Sequence, residues 1–141
     1  MAKLVTLHDA DGEIIYPQTI SDMDYSTSEQ DTGCKWIDGK KIYKKTYVVS
    51  IPSSGSSMSV NHGISNLSSY IKAEGVAVLS NGLTTRFLPS FYVESNGNLS
   101  NLYSFSIYGG ATNAQTFTLS FGSAYQGGTA YVTLWYTKTT D

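Results

Sequence analysis

The chain has 141 residues, of which 40% are hydrophobic and 13% aromatic, so it can bury the core of one domain and is not a disordered protein. A net charge of −2 excludes the basic surface that nucleic acid requires, and the single Cys34 excludes an internal disulfide bond. No apolar run approaches the roughly 20 residues of a membrane span, and the apolar stretch after Met1 is too short for a signal peptide, so we expect synthesis in a cytoplasm and no membrane insertion.

Charged residues are few and unevenly placed. They make up 14% of the chain, where about 25% is ordinary, while Ser, Thr, Asn and Gly fill 55 positions. Residues 1–45 hold fourteen of the twenty charges. This shift divides the chain into an N-terminal arm (1–24), a charged β-hairpin or neck (25–52) and an almost uncharged body (53–141), with residues 52–59 predicted to form a loop or linker.

The arm is predicted to form a short hairpin, because strand-like residues 4–8 and 13–16 flank the sequence Asp-Ala-Asp-Gly at 9–12. These carboxylates resemble the start of a calcium loop, but the third oxygen ligand before the glycine and the distant closing Glu are missing. We therefore predict a β-turn rather than a calcium site. An isolated two-stranded hairpin is marginal, so we expect the arm to be ordered on a partner.

The strongest turn signal is Asp38-Gly39, between Trp36-Ile37 and a strand at residues 40–51. Asp-Gly provides the positive φ angles that a type I′ hairpin turn needs. The lysines of residues 40–45 alternate between the two faces of that strand, which splits any basic patch for nucleic acid. We predict a solvated edge strand, whose charges discourage aggregation.

The body is predicted to consist of short strands with a turn every 8–12 residues. The turn signals are Asn81-Gly82, Asn96-Gly97, Gly109-Gly110 and Gly127-Gly128. Residues 64–71 are the best candidate for one or two helical turns. This pattern predicts an all-β protein whose body is an antiparallel β-sandwich or jelly roll.

Alternation with period two indicates which faces are buried. One face of residues 115–122 carries Phe117, Leu119 and Phe121, and one face of residues 129–138 carries Val132, Leu134 and Tyr136. The second of these strands also has Tyr131 and Trp135 on its opposite face. It is therefore either buried on both faces or exposes these two aromatic residues at an interface.

Catalytic and metal sites are not indicated. The chain has twenty serines, so either histidine, His8 or His62, finds a nominal triad partner by chance. Cys34 is predicted to be an ordinary strand residue rather than a reactive thiolate. No His/Cys set has zinc spacing, and the body offers only three acids for a glycosidase pair, Glu74, Glu94 and Asp141. We expect a protein without enzymatic activity, cofactor or metal.

Four segments resemble the fibre and appendage proteins of tailed bacteriophages. Residues 25–46 contain Tyr-Ser-Thr, then Glu-Gln and Gly, and then Trp-Ile-Asp-Gly-Lys followed by Ile-Tyr-Lys-Lys-Thr, which is the most specific landmark. Residues 60–67 are similar to a His-Gly-Ile segment, residues 131–141 to the C-terminus, and residues 7–19 to an N-terminal virion-attachment segment of such proteins. Lys41 stands where the pattern usually has Pro, a difference that concerns local structure.

The resemblance implies a small homotrimeric tail fibre, head fibre or capsid decoration. Such a protein is assembled in the bacterial host cytoplasm, is located in the virion and acts by adhesion. The expected aromatic anchors of the trimer are Trp135, Tyr131 and Trp36. The arm would contact other virion proteins through Leu7, Ile15, Tyr16 and Pro17. The uncharged loops would contact a bacterial surface glycan through Tyr125, Gln126, Asn81 and Asn113.

Three other functions are compatible with the composition: a monomeric carbohydrate-binding module, a capsid decoration protein without a receptor role, and a small hydrolase. The oligomeric mass separates the fibre from the monomeric module, and substrate turnover tests the hydrolase.

Overall fold

The computed structural model describes the backbone of residues 7–8 and 14–15, together with residues 25–91, 102, 104–110 and 115–140 in full. The strands are β1 (Leu7–His8), β2 (Ile14–Ile15), β3 (Gln30–Lys35), β4 (Lys41–Ser50), β5 (Ser57–Asn61), β6 (Leu67–Val78), β7 (Thr85–Leu88), β8 (Phe105–Gly109), β9 (Thr116–Phe121) and β10 (Thr129–Lys138). A 3₁₀ turn, η1 (Ser123–Tyr125), precedes β10. None of these described parts contains a helix long and apolar enough to cross a membrane.

The predicted all-β class is confirmed, and the body has the two antiparallel sheets of a β-sandwich. The larger sheet has the order β3-β4-β10-β6-β7 and the smaller one the order β5-β9-β8. Strands β1 and β2 pair separately, with Leu7 opposite Ile15, as the hairpin prediction for the arm requires. The jelly-roll connectivity stays a prediction.

The core lies between the inner faces of the two sheets. The alternation predicted for β9 and β10 is confirmed, because the side chains assigned to the apolar faces are almost fully buried. The ring of Tyr47 on β4 meets that of Phe117 on β9 edge-to-face, with centroids 5.2 Å apart, which joins the two sheets directly. The largest fully buried apolar side chains are Tyr125, Tyr136, Phe105, Phe117, Ile64, Leu119 and Leu134.

The turns predicted at Asp38-Gly39 and Asn81-Gly82 are confirmed, but type I′ geometry is not, because only the glycine of each pair has a positive φ. Of the other two predicted turns on described residues, Gly109 is the last residue of β8, and Gly127, with φ +73°, lies in a turn before β10. Gly39 has φ +85° and its N–H donates to the Trp36 carbonyl over 2.9 Å, so Trp36 belongs to the turn rather than to a strand. Gly82 has φ +68° in the turn between β6 and β7. The Asn96-Gly97 turn lies outside the described residues.

Three predictions that depend on strand pairing are wrong. Residues 64–71 do not form a helix, because the chain enters β6 at Leu67 and pairs with β10. Residues 57–59 of the predicted linker form part of β5, which pairs with β9. Strand β4 is not an edge strand, because β3 covers one side of it and β10 the other, and Lys44 is only 4% exposed.

The charged hairpin is part of the larger sheet. Strand β4 pairs with β10 from Ser50 opposite Thr129 to Tyr43 opposite Tyr136. The predicted boundary between hairpin and body, at residues 52 and 53, therefore does not divide the larger sheet, because β4 before the boundary and β10 after it are hydrogen-bonded neighbours.

A polar clamp ties the chain before β3 to the end of β10. The hydroxyl of buried Tyr136 donates to Glu29 Oε2 over 2.5 Å, and the Lys138 ammonium pairs with the other oxygen of the same carboxylate. Burial, followed by the hydrogen bond and charge of Glu29, raises the pKa of Tyr136 well above its usual range. Tyr136 therefore acts here as a neutral donor.

We expect Glu29→Ala to lower the free energy of unfolding by about 2 kcal/mol, because it leaves the buried Tyr136 hydroxyl without its acceptor. In a Tyr136→Phe background, the same change should cost less than about 1 kcal/mol, since only the pair with Lys138 is then lost. Urea unfolding of the four proteins measures both values. Equal losses in the two backgrounds would exclude the clamp as a stabilising contact.

Candidate interaction surface

The outer face of the larger sheet carries a continuous line of apolar side chains. Strand register places Phe87, Val76, Tyr131 and Val48 side by side across β7, β6, β10 and β4. The exposed fractions are 83% for Phe87, 57% for Val48 and 40% for Tyr131, and Val76 is half-buried. We call these four residues the apolar row. At a strand spacing of about 4.8 Å, the row is about 14 Å long.

Polar rows flank the apolar row on both sides. On one side lies the hydroxyl row, composed of Thr85, Thr129 and Ser50, with the apolar Val78 between Thr85 and Thr129. On the other side lies the Glu74 row, composed of Glu74, Thr133 and Thr46, in which the two threonine hydroxyls are 2.8 Å apart. The next line outward is the Lys72 row, composed of Lys72, Trp135 and Lys44. The charges of this face therefore all lie on one side of the apolar row.

Trp135 is shielded by its neighbour on β6. The Lys72 ammonium lies 4.5 Å from the centroid of the indole ring and 2.5 Å from Glu74 Oε2. The cation therefore sits over the face of the ring and is held there by the carboxylate. This arrangement leaves Trp135 half-buried and Tyr131 more exposed.

A groove of about 600 Å³ lies along this face. Its aromatic walls are Tyr25, Phe87 and Tyr131, and its polar groups include Glu74, Thr46 and Thr133. The Ser26 carbonyl accepts the Thr46 N–H over 2.8 Å, which brings the segment before β3 alongside β4 and places Tyr25 at the groove. The groove is therefore an extension of the apolar row rather than a separate site.

The outer face of the smaller sheet has a different character. Register aligns Ser57, Ser120 and Ser106 in one line and Ser59, Thr118 and Tyr108 in the next, followed by Asn61 opposite Thr116. All of these side chains are uncharged, and the single large ring is Tyr108. Among the described strand residues, the outer face of the larger sheet therefore carries the apolar row and the charges, whereas the outer face of the smaller sheet is hydroxyl-rich.

The three predicted interface residues lie at different places in the fold. Tyr131 lies in the centre of the apolar row, and Trp135 lies two positions along the same strand. The sequence left two alternatives for β10, burial of both faces or exposure of its outer aromatic residues. Each holds for part of the strand, because Thr133 and Thr137 are buried while Tyr131 is exposed. Trp36 lies in the turn between β3 and β4, away from the row in the sheet register.

The predicted glycan residues are largely engaged in the fold. Tyr125 is 1% exposed and meets Phe105 edge-to-face at 5.1 Å, so the prediction of a ring that stacks on sugar is wrong. Turn η1 directs this side chain into the core. Gln126 Nε2 donates to the Gly55 carbonyl over 2.7 Å, and Asn81 Oδ1 accepts the Leu83 and Thr84 N–H groups. Asn113 lies outside the described residues.

Two of the predicted virion-attachment residues, Leu7 and Ile15, are Cα partners in the β1–β2 pair. The other two, Tyr16 and Pro17, lie outside the described residues. Their role stays a prediction.

His62 supports the loop after β5. Its Nδ1 accepts the Ile64 N–H over 2.9 Å, and its carbonyl accepts the Tyr47 hydroxyl over 2.8 Å and the Lys45 ammonium over 3.2 Å. Burial, with smaller effects of the Tyr70 and Glu29 charges, raises the pKa of Tyr47. Within the described part of the chain, no three His, Cys, Asp or Glu side chains come together as a possible metal site.

Sequence reasoning missed Phe87, Val76, Val48 and Tyr25. The sequence does contain a signal for the Val76–Phe87 pair. In a hairpin centred on Asn81-Gly82, counting outward from the turn places Val76 opposite Phe87. The placement of Val48 and Tyr25 beside them depends on the pairing of β4 with β10, which no local pattern indicates.

Comparison with protein-family models found no match, and searches of curated proteins and of solved structures found no similar protein.

Proposed function

We propose that the chain is a structural subunit of a bacteriophage virion, a small homotrimeric fibre on the tail or head that takes part in attachment to the bacterial surface. The observation that carries the proposal is the apolar row on an otherwise hydroxyl-rich, weakly charged surface. The Trp-Ile-Asp-Gly-Lys block supplies the phage context, and it occupies residues 36–40, the turn that joins β3 to β4.

The area of the apolar surface supports a protein partner. With about 200 Å² for an aromatic side chain, Phe87, Tyr131, Tyr25 and Val48 together expose roughly 500 Å². Isolated exposed apolar residues are normal on a monomer, and a contiguous patch of this size is often a functional surface. Burying the patch between copies of the chain contributes to assembly, with Glu74 at the margin of the buried surface.

Two measurements test the proposal. Light scattering at micromolar concentration should give a mass of about three chains, the number that the resemblance to phage fibre proteins implies, and closed cyclic symmetry satisfies the patch without open-ended growth. Immunogold electron microscopy and peptide mass spectrometry of purified phage particles should locate the chain on the virion. A monomeric mass together with absence from the particles would overturn the proposal.

A second candidate function is that of a monomeric saccharide-binding module. The observation that favours it is the groove, whose rings at Tyr25, Phe87 and Tyr131 adjoin the Glu74 carboxylate and threonine hydroxyls. Aromatic walls with a few polar groups are typical of ligand clefts. A monomer that binds an uncharged oligosaccharide, and loses that binding in Tyr131→Ala, would favour this function over the fibre.

A further inference from the structure

We propose that a cleft beside Lys45 binds the carboxylate of an acidic saccharide, such as a uronic acid unit of a bacterial surface glycan. The cleft has a volume of about 400 Å³ and lies between the segment before β3, strand β4 and the loop after β5. We call it the Lys45 cleft, and its lining includes Thr27, Lys45, Val48, Val60, Asn61 and Gly63. The inference rests on the proposed function, because it names the class of surface ligand that an attachment protein would contact.

The ammonium of Lys45 is the one charged group among the described residues that line the cleft. It lies 5.2 Å from the centroid of the Tyr47 ring and 3.2 Å from the His62 carbonyl oxygen. Neither of these groups is an acid, and within the described part of the chain Lys45 belongs to no ion pair. A cleft with a positive charge and no carboxylate of its own is complementary to an anionic ligand.

The acids at the neighbouring edge of the sheet are already engaged. One oxygen of Glu29 accepts the Tyr136 hydroxyl, and the other pairs with the Lys138 ammonium in the polar clamp. Asp31 lies 3.0 Å from the Lys41 ammonium. Each of these carboxylates therefore has its own cation, and the charge of Lys45 is available to a ligand.

Asn61 supplies a second donor close to this ammonium. Its Oδ1 accepts the Gly63 N–H over 2.9 Å, which leaves the Nδ2 group without a hydrogen-bond partner among the described residues. Gly63 also adjoins Lys45, because a Cβ atom on this glycine would lie 4.0 Å from Lys45 Nζ. The amide and the ammonium are therefore both neighbours of Gly63, which has no side chain to cover them. Together they can donate to the two oxygens of one carboxylate.

The other walls of the cleft fit the uncharged part of a sugar. Val48 and Val60 provide apolar surface for the C–H groups of a pyranose ring, and the Thr27 hydroxyl can exchange hydrogen bonds with ring hydroxyls. Small-molecule sites have volumes of roughly 300–1,000 Å³, so the cleft is large enough for a monosaccharide unit. A single ammonium balances the charge of a carboxylate but only part of the charge of a phosphate dianion, which favours the carboxylate.

Matched glycosides test the proposed ligand class on the unmodified protein. Methyl β-D-glucuronide carries a carboxylate where methyl β-D-glucoside carries a hydroxymethyl group, and NMR titration measures the affinity of both. We expect the glucuronide to bind at least about 10-fold more tightly, because only its carboxylate forms charge-assisted hydrogen bonds with Lys45 and Asn61. The largest shifts should occur at the Gly63 amide and the Asn61 side-chain amide. Glucose-6-phosphate, the third ligand, should bind more weakly than the glucuronide.

Three substitutions locate the binding in the cleft. Lys45→Met removes the charge but keeps an apolar stem beside Tyr47, and should weaken glucuronide binding at least about 10-fold without changing glucoside binding. Lys35→Met is the matched control, since Lys35 is an exposed lysine on β3, and should leave both affinities unchanged. Asn61→Asp keeps the acceptor for the Gly63 N–H but replaces the donor with a carboxylate that pairs with Lys45, so it should abolish glucuronide binding. Urea midpoints check the fold of each variant.

Equal affinities for glucuronide and glucoside would overturn the inference, whether or not the variants fold. Unchanged glucuronide binding in a folded Lys45→Met protein would also overturn it, and tighter binding of glucose-6-phosphate would contradict the choice of a carboxylate. Failure of the proposed function gives a different result. A chain that is present on phage particles but does not distinguish the two glycosides contradicts only the Lys45 cleft, whereas a chain that is absent from particles contradicts the virion role whatever it binds.

Discussion

Gly75→Ala should destabilise the protein by more than about 3 kcal/mol, a large part of the total stability of a domain of this size. Gly75 lies on β6 opposite Val132 of β10, in the centre of the larger sheet. A Cβ atom at this position would lie 1.9 Å from the Tyr131 carbonyl oxygen and 2.9 Å from its carbon. Both atoms belong to the backbone, so the clash is relieved only by separating the two strands.

Gly82→Ala is the matched control for this prediction. Gly82 has φ +68° and no atom within 4 Å of an added Cβ, so this substitution introduces only the strain of a left-handed backbone, about 1 to 2 kcal/mol. The urea midpoints of the two variants compare the cost of steric overlap in Gly75→Ala with the cost of backbone strain in Gly82→Ala. The soluble fraction of Gly75→Ala is measured as well. Equal midpoints would show that the close approach of β6 and β10 does not constrain the fold.

Stability should fall steeply above pH 10, with Tyr136 and Tyr47 together contributing about 2.7 kcal/mol per pH unit. Tyr136 and Tyr47 are buried, and burial raises the pKa of each hydroxyl in the folded state. In the unfolded chain, tyrosine ionises near pH 10. Above that pH the unfolded state loses protons that the native state keeps, which favours unfolding by about 1.4 kcal/mol per pH unit for each tyrosine. The stabilisation is thus fully present below pH 10 and is lost as the pH rises.

Urea unfolding between pH 9 and 11.5 measures this slope, and tyrosinate absorbance reports the ionisation independently. Tyr136→Phe should reduce the slope by about 1.4 kcal/mol per pH unit, because it removes one hydroxyl whose pKa burial raises in the folded state. Tyr108→Phe is the control, since Tyr108 is 57% exposed. A slope that is unchanged in Tyr136→Phe would contradict the assignment.

Local chemistry was sufficient to predict the strand class, the hairpin turns and the buried face of the last strands. Asp38-Gly39 and Asn81-Gly82 form their turns because the glycine of each pair adopts a positive φ without steric cost. Phe117 and Leu119 are buried because alternation with period two is a property of any strand with one face in a core. These features need no knowledge of which strands are neighbours.

The order of the strands was decided only by the tertiary structure. Strand β4 looked like an edge strand because of its lysines, yet β10 pairs along it from a position about 80 residues later in the chain. Tyr125 looked like a loop residue because glycines and small polar residues surround it, yet η1 places its ring in the core. In both cases, long-range packing outweighs the local composition.

The candidate interaction surface was likewise predictable from the sequence only in part. The sequence alone placed Tyr131 on the face of its strand opposite Val132 and Leu134, because alternation within one strand is local, but it left open whether that face is exposed. It did not indicate that Val48, Val76 and Phe87 lie beside Tyr131, because those residues come from three other strands. Their alignment depends on the register of β4, β6 and β7 around β10, and register is determined by burial of all the inner faces together.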